Sequence, residues 1–243
     1  MRAIILAAGE GHRLRPLTNS IPKCMVKYRN KSILSYQIST MQSLGITDIN
    51  IIAGYRSEVI KDLGYNTIVN SDYGKTNMVF SLFCAEKLLN QDLIISYGDI
   101  LYGQNTLRKV LSDFGEISIA ISTNWLELWK RRMDNPLSDA ESLKIGVDGN
   151  IRELGNKTNS YENIEGQYMG LMKIKKKILP NIIRKYYDYK CKNLDDISSF
   201  NNMYMTTFLQ NLINDGFKLS PVKITDEWLE VDQPNDLLVN INI

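Results

Sequence analysis

A short apolar run near the start of the chain, Ala3-Ile-Ile-Leu6, opens directly into a loop that carries Gly9, Gly11, Arg13, Arg15 and Lys23. A run this short, bounded by glycine, reads as a buried strand. A buried strand that empties into glycines and cations constrains the fold strongly: it sets one end of a sheet against a polyanion. Glycines let backbone N–H groups come close to phosphates, and fixed cations offset their charge. The pattern suits a triphosphate.

Three common phosphate-binding patterns fail here. A dinucleotide fingerprint needs a third glycine where Leu14 stands, and a Walker loop needs Gly-Lys-Ser/Thr, which this segment lacks. A protein-kinase loop needs a downstream His-Arg-Asp as well as Asp-Phe-Gly, and although Asp113-Phe114-Gly115 is present the chain has no His-Arg-Asp. What remains is Leu6-Ala-Ala-Gly-x-Gly-x-Arg-Leu-x-Pro-Leu-Thr18, then Pro22-Lys23. This string resembles the signature of nucleotidyltransferases that activate sugar phosphates and related phosphorylated small molecules. The resemblance implies that Leu6, Ala7, Ala8, Gly9 and Gly11, with Asn77 and Gly98, bind the nucleotide. It implies that Arg13 holds the β and γ phosphates and that Lys23 sits at the α-phosphate under attack. Arg15 is either a solvated neighbour or a second clamp. His12, the only histidine, reads as an exposed loop residue without a catalytic role.

With 243 residues and a hydrophobic fraction of 44%, the chain suits one large α/β domain or one with a small appendage. The net charge of +2 gives no broad basic field, which argues against a nucleic-acid partner. The cysteines (Cys24, Cys84 and Cys191) are scattered, so neither a zinc site nor a disulfide framework is expected, and reduced thiols point to the cytoplasm. The amino-terminal apolar run is too short for a signal peptide, and no stretch is long enough to span a bilayer. No room is expected behind Asp232 for an appended repeat domain.

Strands and helices alternate through the first half. Ser32 caps a helix reaching Leu44, stopped by Gly45; strands are expected at 48–53, 66–70, 92–97 and 117–121, with helices at 55–63 and 77–89. This alternation argues for a mostly parallel central sheet with helices on both faces, a Rossmann-like fold whose ligands sit beyond the carboxyl ends of the strands. The rhythm breaks after Thr123. A hairpin is expected over 144–154, a strand over 166–173, helices over 176–187 and 203–214, loop over 190–202, a last strand at 229–232, and a helix from Pro234. Residues 1–243 are read as a single nucleotidyltransferase domain, with 124–202 as a substrate-side insertion.

Asp99 follows Ile-Ile-Ser-Tyr-Gly, and Asp232 closes Trp228-Leu-Glu-Val-Asp. Aspartates in matching contexts of the resembled family hold Mg2+, which needs only one or two carboxylates besides phosphate oxygens and water. Strand alternation puts Glu230 on the same face as Asp232, as a possible substitute ligand. The implied reaction is in-line attack by a phosphorylated acceptor on the α-phosphorus of a nucleoside triphosphate, releasing pyrophosphate. A phosphate group with a second pKa of about 6 is already largely ionised and needs no general base. The difficulty is bringing two polyanions together, so positioning and charge neutralisation must supply the catalysis.

Lys75-Thr-Asn-Met78, Trp125-x-x-x-Trp129-x-x-Arg132, Asn135-Pro-Leu-x-Asp-Ala-Glu141 and Glu165-x-Gln-Tyr-x-Gly-Leu171 narrow the resemblance. They resemble the bacterial cytidylyltransferases that act on choline phosphate, and within them the capsule-biosynthesis branch that couples CTP to phosphorylated glutamine. That branch implies a product of CDP-glutamine for capsule or surface polysaccharide. The insertion offers Trp125, Trp129, Arg132, Glu153, Lys157 and Glu165 as substrate-binding candidates. Aromatic faces with Tyr161 and Tyr168 would cage a choline head. Arg132 or Lys157 with Glu153 or Glu165 would hold the carboxylate and ammonium of glutamine. The two tryptophans share a helix face, so core packing and ligand contact both stand for them. Rival functions are activation of choline phosphate or a sugar phosphate and, outside catalysis, an inactive nucleotide-binding regulatory subunit.

Overall fold

The computed structural model describes all residues, Met1–Ile243. It begins with β1 (Arg2–Ala7), whose side chains alternate between two apolar cores: Ala3, Ile5 and Ala7 enter one, Ile4 and Leu6 the other. A strand buried on both faces is the expected centre of a parallel sheet. A ribbon of β2 (Lys27–Tyr28) and β3 (Lys31–Ser32) leads into α1 (Ile33–Ser43), capped by Ser32, whose hydroxyl accepts the Ser35 N–H. The first half continues through β4 (Asp48–Ala53), α2 (Ser57–Lys61), β5 (Asn66–Val69), α3 (Met78–Cys84), β6 (Leu93–Tyr97), β7 (Ile100–Tyr102), α4 (Gln104–Ser112) and β8 (Ile117–Ser122). The second half contains α5 (Trp125–Arg132), β9 (Glu141–Ile145), β10 (Ile151–Lys157), β11 (Gln167–Ile174), α6 (Leu179–Lys192), α7 (Ile197–Asn201), α8 (Met205–Asn214), β12 (Leu219–Ile224) and β13 (Trp228–Glu230).

Nine strands form one sheet in the order β5-β4-β1-β6-β11-β8-β12-β10-β9. The neighbours from β5 to β6 are parallel, as are β8 and β12; β11 runs antiparallel between β6 and β8. Helices cover both faces: α1, α4 and α5 pack on one core, and α3, α6 and α8 on the other. No helix is long and apolar enough to cross a membrane.

The alternation read from the sequence is present, with four differences. Residues 104–112 form α4, which buries Leu107 and Val110 one helical turn apart. Residues 219–224 form β12, hidden in the sequence by Pro221; β12 meets β10 at a single register pair, and that open edge accommodates a proline. The polar stretch 190–202 is not loop: α6 runs to Lys192, and α7 is capped by Asp196 and buries Phe200. The segment from Pro234 is a 3-10 turn, Pro234–Leu238, rather than an α-helix. Residues 124–202 do not stand apart from the sheet, because β11 lies in its interior and β9 and β10 extend its edge.

One short ribbon decides where the chemistry sits. β7 pairs antiparallel with β13, setting Ile100 opposite Glu230, and the Val231 N–H donates to the Asp99 carbonyl at 3.0 Å. Two distant segments are thereby joined at the carboxyl edge of β6. The turn between β6 and β7 is clamped by Gln37 of α1. Its buried amide donates to the carbonyls of Tyr97 at 2.8 Å and Ile100 at 2.7 Å, and its oxygen accepts the Ser96 hydroxyl. Every polar atom of that clamp has a partner, as a buried amide requires.

Candidate active site

Lys23 opens a 3-10 turn, Lys23–Met25, directly after Pro22. Its ammonium lies 2.6 Å from the Asp99 carboxylate and 2.5 Å from that of Asp232, residues 76 and 209 positions further along the chain. Arg13 reaches the same Asp232 oxygen at 3.0 Å while its side chain stays largely exposed. Burial pulls the Lys23 ammonium down, but the carboxylates of Asp99, Asp232 and Glu230 together outweigh it and raise the pKa above the ordinary lysine value. For Asp232 burial acts upward and is outweighed by Lys23, Arg13 and Arg132, which hold it low. Glu230 is pushed up by burial and by the neighbouring charges of Asp232 and Asp99. Three cations and three carboxylates are thus concentrated at one sheet edge.

Two cavities meet there. The first, about 130 Å³, is lined by Leu6, Ala7, Ala8 and Gly9 from the end of β1, by Asn77 and Gly98, and by Lys23 and Asp99. Six of the seven residues expected to bind nucleotide line this cavity. The seventh, Gly11, stands behind Lys23 with a left-handed φ of +69°; a Cβ there would lie 3.0 Å from Lys23 Cβ. Asn77 also caps α3, its side chain accepting the Met78 N–H at 2.8 Å. Gly98 is required by close approach: a Cβ would come within 2.9 Å of the Leu6 carbonyl and 3.0 Å of Ala7 Cα, both backbone atoms of β1. Gly98→Ala is therefore expected to displace the cradle, raising KM for the nucleotide at least tenfold and lowering the melting temperature. Unchanged nucleotide affinity with an unchanged melt would refute that account.

The second cavity, about 320 Å³, shares Lys23, Met78, Tyr97 and Asp99 with the first and adds Arg13, Glu230 and Asp232. Its far side carries Trp129, Asp139, Glu141, Gln167, Tyr168 and Tyr204. Of the six residues expected to bind the acceptor, only Trp129 lines it, and its indole N–H donates to Asp139 at 3.1 Å. Trp125 is buried beside Tyr161 and serves the core. Arg132 faces inward, its side chain 1% exposed and paired with Asp236 at 2.9 Å. Glu153 accepts the Ser142 hydroxyl at 2.6 Å, Glu165 accepts the Ile145 N–H, and Lys157 is exposed at the end of β10; none of the three lines either cavity. Trp125, Arg132, Glu153, Lys157 and Glu165 thus lie outside the lining of both cavities. Arg15 and His12 both pair with Glu10 at the surface.

Cavity-lining residues that the sequence reading does not name as candidates include Asp139, Glu141, Gln167 and Tyr97. Gln167 is tied to the backbone of Glu141 in both directions, fixing that carboxylate at the cavity wall. The carboxyl of Glu141 is pushed up by burial and by Asp139 beside it, so a cationic ligand group would stabilise its charged form. The signal was available: Asp139 and Glu141 lie in the Asn-Pro-Leu-x-Asp-Ala-Glu segment noted in the sequence.

Asp99, Glu230 and Asp232 each offer a carboxylate oxygen within 4.8 Å of the others. Asp99 Oδ1 is buried with no hydrogen-bond partner. A hard, all-oxygen donor set with an unused ligand atom fits a divalent cation of the magnesium type.

Comparison with known proteins follows this geometry. Residues 2–119 match the nucleotidyl transferase family model. The whole chain is similar to the CTP:phosphoglutamine cytidylyltransferase of Campylobacter jejuni, with 44% identity covering 99% of both chains. The choline-phosphate cytidylyltransferase of Streptococcus pneumoniae is 37% identical over 46% of this chain and 50% of its own. In fold, the inositol-1-phosphate CTP transferase of T. maritima superposes with a TM-score of 0.72 over 97% of this chain and 90% of that one, at 22% identity.

Proposed function

Because the chain belongs to the nucleotidyl transferase family, we propose that it couples CTP to phosphorylated glutamine, releasing pyrophosphate and forming CDP-glutamine for surface polysaccharide. The observation that carries this reading is the meeting of the two cavities at Lys23 and Asp99. A nucleotide in the first and an acceptor phosphate in the second would face each other across one ammonium. The full-length similarity to a phosphoglutamine enzyme supports the choice of substrates.

In this mechanism the β1 loop wraps the triphosphate with backbone N–H groups. Arg13, largely exposed, turns onto the β and γ phosphates, where charge accumulates as pyrophosphate leaves. Lys23 neutralises the α-phosphate and the incoming phosphate together. No proton need be removed, because the acceptor phosphate is already ionised. Asp139 and Glu141 face the amino group of the acceptor from the far wall. Asp99 and Asp232, with Glu230 beside them, would hold Mg2+, which when bound offsets phosphate charge during the transfer. The segment 124–202 supplies the acceptor side through α5, the start of β9 and the start of β11. We assign this reaction to the cytoplasm, a reducing compartment that suits the three unpaired cysteines.

A second reading, choline phosphate as acceptor, draws on the rings of Tyr97, Tyr168, Trp129 and Tyr204 at the same cavity. Pyrophosphate release settles the matter. Four nucleoside triphosphates are crossed with phosphorylated glutamine, choline phosphate and several sugar phosphates. Release with CTP and phosphorylated glutamine alone is expected. Faster release with choline phosphate would install the second reading, and none with any pair would make the chain a nucleotide-binding subunit.

A further inference from the structure

The residue that sequence reasoning assigned to the acceptor is built into the opposite side of the site. Along α5 the buried positions are Trp125, Leu128, Trp129 and Arg132, one stripe of helical spacing that ends in a charge. The Arg132 guanidinium is held from two directions. Its Nε donates to Asp236 Oδ1 at 2.9 Å, and its Cζ lies 5.0 Å from the centroid of the Trp129 ring. Asp236 in turn accepts the backbone N–H groups of Asp232 at 2.7 Å and Gln233 at 2.8 Å on its other oxygen. What remains of the guanidinium points at the acidic cluster. Nη1 is buried without a hydrogen-bond partner, 3.8 Å from the Glu230 carboxylate, and Nη2, which also donates to Asp236 Oδ2 at 3.5 Å, lies 3.8 Å from the carboxylate of Asp232.

We infer that Arg132 and Asp236 form a buried positioning pair that aims Asp232 and Glu230 at a divalent cation, and that Arg132 makes no contact with the acceptor. Asp236 fixes the backbone from which Asp232 projects, and Arg132 fixes Asp236. Lys23 and Arg13 line the second cavity, where phosphates would meet them. Arg132 cannot leave, so it is the permanent counter-charge beneath the cluster. A buried ion pair of this kind adds little to stability over apolar residues of similar volume, but it can specify one geometry. Groups that orient metal ligands from behind characteristically change metal affinity or activity by about 10–100-fold when lost. The inference rests on the proposed reading of Asp99, Glu230 and Asp232 as cation ligands.

The test uses the full chain and four variants: Arg132→Lys, Arg132→Met, the double variant Arg132→Met with Asp236→Leu, and Asp99→Asn. Folding is followed by circular dichroism. Mn2+ binding is followed by the paramagnetic resonance signal of the free aqua ion, and kcat, both KM values and the Mg2+ midpoint are measured by pyrophosphate release. Because the double variant removes both charges, it avoids a lone buried carboxylate and keeps the test open should Arg132→Met fail to fold. Expected are folded double and lysine variants with Mn2+ affinity and kcat about tenfold lower, a raised Mg2+ midpoint, and KM for the acceptor unchanged. Wild-type Mn2+ affinity in the double and lysine variants would overturn the inference, as would an effect confined to the acceptor KM. Asp99→Asn separates the two levels. If it binds Mn2+ as the wild type does, the cation reading falls and this inference with it. If it loses Mn2+ while the pair variants keep it, only the positioning role falls.

Discussion

Lys23→Ala is expected to lower kcat by about 10²–10³-fold, the size of losing one preorganised group at developing transition-state charge. The ammonium belongs to both cavities at once, so its removal strips neutralisation from nucleotide and acceptor phosphates together. KM for either substrate should move far less than kcat, because the two anions repel most as the new bond forms. The same variant carries a stability signature. Lys23 is raised and Asp232 lowered by their contact, against the burial that opposes both. A lowered Asp232 stabilises the fold above its unfolded value of about 3.9, and that contribution is lost as pH falls through the lower folded value. A raised Lys23 stabilises it below about 10.4, and that contribution is lost as pH rises through the higher folded value. The gap between wild type and variant should therefore be widest between roughly pH 4 and pH 10 and shrink as pH falls further, through the lowered Asp232 value. Breaking a buried pair typically costs about 3–5 kcal/mol, and the low end applies because Arg13 and Arg132 still face Asp232. Rate measurements and thermal melts at pH 3 and pH 7 check both halves. Turnover within tenfold of wild type would remove Lys23 from the transfer step.

How far the sequence disclosed this arrangement depended on whether a signal was local. β1 and its loop were legible because strand, glycines and cations sit within one short segment, and the same contiguity exposed the edge positions of Leu6, Ala7, Ala8 and Gly9. Asp99 and Asp232 were singled out through their contexts. Their approach depends on β7 and β13, three-residue strands too short to show periodicity, and on Gln37, a buried amide with no sequence signature. Arg132 illustrates a different case. Its charge suggested a ligand contact, whereas its place on the stripe Trp125, Leu128, Trp129 already marked it as inward-facing, and the partner that makes burial tolerable lies 104 residues away. Glu153, Lys157 and Glu165 stand out by charge and by lying in stretches that resemble the family's substrate-side segments. β10 and the turn before β11 direct them to neighbours or solvent, while β9 directs Glu141 inward through Gln167. Strand parity over a bulged hairpin cannot be counted reliably from residue types, because the register of β9 and β10 shifts within the ladder.

The second large effect is expected at Asp99. Asp99→Asn keeps the side chain's shape and removes one of the three charges that face one another within 4.8 Å. The existing bond uses Asp99 Oδ2, which accepts from Lys23 at 2.6 Å, whereas Oδ1 is buried and unpaired. A buried carboxylate oxygen without a partner is costly unless something binds it. A divalent cation would satisfy it; an amide is a poor substitute because half of its polar surface donates rather than accepts. The variant should therefore show a Mg2+ midpoint raised at least tenfold and a kcat about 10²-fold lower even at high Mg2+. A second readout is independent of turnover. A ligand that binds only the folded chain stabilises it by about 2.7 kcal/mol at a hundredfold excess over its Kd. Mg2+ with CTP should raise the wild-type melting temperature, and Asp99→Asn should lose most of that rise. Asp232→Asn tests the same idea less cleanly, since Asp232 also pairs with Lys23 and Arg13 and faces Arg132, and neutralising it would alter the surroundings of three cations at once. If Asp99→Asn titrates with Mg2+ as the wild type does and keeps the full thermal shift, Asp99 serves only to hold Lys23, and the cation must bind elsewhere.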